Sequence, residues 1–80
     1  MTERELIRIL NSKRWKPTRT GWTISIETCA IEARKERRLW QARANDGERW
    51  SRWTAFVDTR WRAGLMARAS LLNRQLELDL

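Results

Sequence analysis

Few residue types in this chain could carry chemistry. Histidine is absent from its 80 residues, Cys29 is the single thiol, and the ten carboxylates lack the close pairing that general acid–base catalysis needs. One thiol and scattered acids do not make a metal-ligand set, and no glycine-rich phosphate loop is present. The expectation is a binding protein with no enzymatic activity, no metal and no cofactor. What the chain has in quantity is arginine: fourteen of its seventeen basic residues, within a net charge of +7. A guanidinium grips phosphate through two parallel hydrogen bonds, so this balance favours a polyanionic partner, DNA first. The competing assignment is a solvated surface of arginines packed over tryptophan rings.

The candidate nucleic-acid contacts fall in three groups. Lys13, Arg14, Lys16 and Arg19 crowd a connector, SKRWKPTRTGWT, that contains no acid. Arg34, Lys35 and Arg38 form a second group, and Arg49, Arg52 and Arg60, beside Phe56, a third. Such rows suit phosphate contacts, which hold a protein on DNA without reading its sequence. The other chemical feature is the hexapeptide QLELDL at 75–80, with leucines at 76, 78 and 80. That period of two puts the three leucines on one side of an extended segment and Glu77 and Asp79 on the other.

The elements that would position these residues read as helical. Thr2 and Glu5 make a capping box ahead of Leu6, Ile9 and Leu10, which predicts a helix over about 3–12. Asn11, Pro17 and Gly21 then punctuate the basic connector, which has room for a short hairpin bringing Trp15 and Trp22 together. From a cap at Thr23 or Ser25, the residues Ile26, Cys29, Ala30, Ala33, Trp40 and Ala44 share one helical face to about Asn45. Cys29 is then a small buried hydrophobe, and Arg37 snorkels past Trp40. NDG at 45–47 breaks the pattern, and Asp46 caps a third helix to the mid-70s with Trp50, Trp53, Val57, Trp61, Leu65 and Leu72 on its core face. Glu48 with Arg52 and Asp58 with Arg62 are acid-first pairs along it. The expected fold class is all-α: a small three-helix bundle with a basic loop between helices 1 and 2 and an extended C-terminal tail. Its domain division is a basic body, 1–74, and a partner-binding peptide, 75–80.

Six tryptophans enlarge a core that 80 residues would otherwise leave thin. A lone cysteine indicates no oxidising compartment, and no apolar run approaches the length of a membrane span, so the expected location is the cytoplasm with no membrane partner.

Two resemblances sharpen these expectations. Residues 6–26 resemble the helix-turn-helix region of large serine recombinases, matching at Leu10, Asn11, Thr18, Gly21, Trp22 and Thr23. That likeness implies a recognition helix opening at Thr23 and a DNA-binding regulator or recombination accessory. Gln75-Leu76-Glu77-Leu78-Asp79-Leu80 resembles the Q-L-x-L-x-L hexapeptide with which replication and repair proteins bind the bacterial sliding clamp. The resemblance implies that Gln75 anchors at the mouth of the clamp groove, that Leu76 fills an intermediate site and that Leu78 and Leu80 enter the deeper pocket. It further implies a phage- or plasmid-type accessory protein that recruits itself to DNA or competes with polymerase for the clamp. A helical phage assembly protein, using arginine and tryptophan at protein interfaces, is a third reading.

Overall fold

Thr2 opens the first helix as expected, its hydroxyl accepting from the Glu5 amide at 3.2 Å. In this computed structural model, which describes residues 1–78 and side chains as far as residue 73, the elements are α1 (Glu3–Leu10), β1 (Lys16–Pro17), β2 (Trp22–Ile26), β3 (Cys29–Glu36), β4 (Leu39–Asn45) and α2 (Arg60–Leu78). The strands form one antiparallel meander in chain order. The fold is therefore mixed α/β, a four-stranded antiparallel sheet with two helices, and the all-α three-helix bundle is overturned.

The expected second helix is three strands. In an antiparallel meander the face of each residue alternates, and the register pairs Ile24 with Ile31, Ile31 with Ala44, and Ala33 with Ala42. These residues, with Ile26, are buried on one face. Alanine and isoleucine recur at spacings of two as well as at helical spacings, and long-range pairing selected the period of two. The two hairpin turns contain no glycine or asparagine to announce them: Glu27-Thr28 and Arg37-Arg38 reverse the chain, with φ of 55° at Glu27 and 61° at Arg37. The helix-turn-helix expectation fails for the same reason, because Thr23 begins no recognition helix and lies within β2. The short hairpin in the basic connector exists as β1 against β2, Lys16 opposite Thr23 and Pro17 opposite Trp22.

The expected third helix starts thirteen residues late, at Arg60 in place of 47. Thr59 precedes it, with the Arg62 amide 3.4 Å from its hydroxyl, and Asp58 pairs with Arg62 at 3.2 Å. The face it buries carries Ala63, Ala67 and Leu71, while Leu72 is exposed. Small side chains on α2 meet Ala33, Ala42 and Ala44 on the sheet, so helix and sheet approach closely. At the other side of α2, a Cβ on Gly64 would lie 3.0 Å from Leu10 and 3.5 Å from Trp15, which is the crossing point with α1. Both helices thus sit on one face of the sheet. The helical backbone of α2 continues to Leu78, past the expected boundary at 74, and residues 79 and 80 of the expected tail lie outside the described residues. The side chains of Gln75, Leu76, Leu78 and Leu80, expected to meet a sliding clamp, lie outside the described residues.

Candidate nucleic-acid interface

Residues 46–57 replace the first half of the expected third helix and run instead along the free edge of β4. Ser51, Thr54 and Val57 amides donate to the carbonyls of Ala44, Ala42 and Trp40 at 2.7–2.8 Å. In return, the Trp40 amide donates to the Val57 carbonyl, whereas the Ala42 and Ala44 amides donate to the hydroxyls of Thr54 and Ser51 at 3.0 and 2.9 Å. Two hydroxyls thus stand in for backbone carbonyls where the segment is too irregular to pair as a strand, and the edge of β4 is covered. Asp46, expected to cap a helix, accepts from the amides of Glu48 and Arg49 in a tight turn.

This strap carries Trp50 and Trp53 onto the sheet face opposite the helices. There the alternation presents Thr23 and Ser25 from β2, Glu32 and Arg34 from β3, and Gln41 and Arg43 from β4. The Arg34 guanidinium lies 3.9 Å from the centre of the Trp53 ring, and that of Arg43 lies 4.1 Å from Trp50 and 4.8 Å from Trp53. Rings and guanidiniums alternate in one column: Trp50, Arg43, Trp53, Arg34. Its members are held from the side, since Arg34 Nε donates to Gln41 Oε1, Gln41 Nε2 donates to the Thr54 carbonyl, and Arg43 pairs with Glu32 at 3.5 Å. Among the described residues no helix covers this face.

A cleft of about 330 Å³ opens at the β1–β2 side of the sheet, lined by Arg14, Lys16, Thr23, Ile24 and Ser25, and Glu32 stands between Thr23 and the column's Arg43. Thr23 donates its hydroxyl to the Ile31 carbonyl, which leaves the two cations as the charged lining of that cleft.

Compared with known proteins, the chain matches no family model, no curated protein and no solved structure.

The ten expected contact residues divide three ways. Arg14 and Lys16 come together in the cleft, and Arg34 joins the column. Lys13, Arg19, Arg38, Arg49 and Arg52 are exposed on turns or on the strap. Lys35 and Arg60 belong to the other face. Adjacent strand residues point oppositely, so Lys35 parts from Arg34 and sets its ammonium 5.3 Å from the Trp40 ring. Arg60 stands 5.0, 5.9 and 5.6 Å from the rings of Trp15, Trp22 and Trp40, and burial pulls its guanidinium down from its ordinary value. It stays cationic because arginine starts so high.

Arg43 belongs to this face although its position in the sequence drew no attention to it. The pattern Leu39, Gln41, Arg43, Asn45, alternating with Trp40, Ala42 and Ala44, is the signal that would have found it. Trp50 and Trp53 were expected in the core; Trp50 is 41% exposed and both instead cover arginines.

Proposed function

We propose that this chain is a small, non-enzymatic DNA-associated accessory protein, cytoplasmic and bacterial or phage-encoded, that holds nucleic acid on the uncovered face of its sheet and docks on the bacterial sliding clamp through Gln75, Leu76, Leu78 and Leu80. The observation that carries the first half is a sheet face bearing Arg14, Lys16, Arg34 and Arg43 beside two tryptophans, with both helices on the other side. Phosphate contacts from such a face are worth most when a tether raises the local DNA concentration, and a clamp encircling duplex DNA is such a tether.

The second half rests on the spacing of QLELDL. Residues two apart diverge by about 200° on a helix, so docking of an extended peptide requires the last turn of α2 to open. Opening a helix end is among the least costly local transitions in a folded protein. The groove would then supply backbone hydrogen bonds and pockets for the alternate leucines.

The test is binding of purified sliding clamp by the full chain and by a chain ending at Arg74, with and without DNA. The full chain binds and the shortened chain loses at least tenfold in affinity; equal affinities remove the clamp from the proposal. A salt titration of DNA binding checks the sheet face separately, since release of counterions makes affinity fall steeply with salt. A flat response removes DNA.

A further inference from the structure

The column on the uncovered face is built for stacking, and this narrows the kind of nucleic acid it would take. We propose that the column of Trp50, Arg43, Trp53 and Arg34 selects unpaired strands over duplex, with nucleobases stacking on the exposed part of Trp50 while Arg14 and Lys16 contact phosphates. This rests on the nucleic-acid reading of the same face given above.

Three observations lead to it. First, the guanidiniums lie against rings at 3.9 and 4.1 Å, and Gln41 and Glu32 take hydrogen bonds from their edges. An arginine that reads guanine in a duplex needs its fork free to reach into the groove, and here part of each fork is engaged at the sheet. Second, the face is wide. Three strand spacings cover about 14 Å and the strap along β4 brings this to about 19 Å, against a major groove about 12 Å across. The whole face cannot enter a groove, but a single strand can lie across it. Third, Trp50 is 41% exposed, with Arg43 against its ring and Arg43 in turn paired with Glu32. A ring already ordered by a cation gives a base a rigid partner and little is lost in fixing it. Stacking on aromatic rings tolerates any base, whereas paired bases within a duplex have no free face to offer.

The experiment measures binding of the full chain to a fluorescein-labelled 15-nucleotide oligothymidine and to a 15-base-pair duplex by anisotropy, at one salt concentration. Tryptophan fluorescence is followed in the same titrations with unlabelled strands. The single strand binds at least tenfold more tightly and quenches tryptophan emission; the duplex does neither. Trp50→Ala lowers single-strand affinity by about tenfold, an effect of the size found for losing one base–aromatic stack, and Trp50→Phe restores most of it. The melting temperature of each variant identifies any that fails to fold, and the quenching of the unaltered chain then decides the matter alone. Equal affinities for the two forms, a duplex preference, or binding without quenching overturns the selectivity and leaves a phosphate-gripping face. Absence of binding to either form overturns the underlying reading as well.

Discussion

Arg60 is surrounded on three sides by indole rings, those of Trp15, Trp22 and Trp40, and its charge is held by their π faces. Cation–π contacts of this kind contribute about 0.5–2 kcal/mol, more when water is excluded. Arg60→Ala is therefore expected to destabilise the fold by about 1–2 kcal/mol in a urea unfolding curve, and Arg60→Lys by less; a loss below about 0.3 kcal/mol would show the cage to be incidental. Trp15 itself is pinned, its indole N–H donating to the Leu10 carbonyl at 2.8 Å, so the cage joins the end of α1 to the start of α2. Cys29, expected as a buried hydrophobe on a helix, is partly buried at the start of β3. It packs against the core, and burial raises its thiol above its ordinary value despite the opposing charge of Arg68. A raised thiol is protonated to higher pH in the folded chain than in the unfolded one, so this group contributes stability below its unfolded value that is lost as pH climbs through the folded one. Iodoacetamide should modify Cys29 more slowly in buffer than in urea at the same pH, and equal rates would contradict its burial.

At the scale of elements, the two hairpins carry a cost that explains why they were not legible. Arg37 at φ 61° occupies the left-handed region, where a residue with a Cβ is disfavoured by about 1–2 kcal/mol. Arg37→Gly relieves that cost while adding freedom to the unfolded chain, and the net expectation is a gain of roughly 0.5 kcal/mol measured by thermal melting. A loss would mean that the arginine side chain contributes more to the turn than its backbone costs. Gly21 is the opposite case: a Cβ there would run into the carbonyl of Ala33, because the chain enters β2 hard against β3. Ile31, fully buried between Ile24 and Ala44, is the centre of the sheet's inner face. Ile31→Ala should cost about 2–5 kcal/mol, enough to unfold much of a marginal 80-residue domain at 37 °C. Circular dichroism with temperature reads this directly.

Across the whole molecule, charge and shape are divided between two faces. The helices cover one side of the sheet, and the uncovered side carries stacked arginines, with the Arg14 and Lys16 cleft at its β1–β2 side. Arg14→Ala and Lys16→Ala should each weaken binding to any nucleic-acid sequence by a similar factor and reduce the slope of log affinity against log salt by about one. A change that depends on base sequence, or an unchanged slope, would take these two residues out of phosphate contact. No helix among the described residues is long and apolar enough to cross a membrane. A second cleft, about 510 Å³ and lined mostly by apolar side chains, lies on the helical side between Leu6 of α1 and Leu65 and Met66 of α2.

Legible in the sequence alone were the N-cap at Thr2, the punctuation at Pro17, Gly21 and NDG, the acid-first pair at 58 and 62, and the excess of arginine. Each is a local property, decided by a few neighbouring residues or by composition alone. That 22–45 is a meander was set by long-range packing, because Ile26, Ala33 and Ala44 belong both to a helical stripe with Cys29 and Ala30 and to the alternation with Ile24, Ile31 and Ala42, and the partner that breaks the tie is distant in the chain. The tertiary structure also decided that Trp50 and Trp53 cover arginines outside the core and that Arg43 joins Arg34. Those pairings depend on β4 lying between the strap and β3, an arrangement of backbone hydrogen bonds that no local spacing encodes.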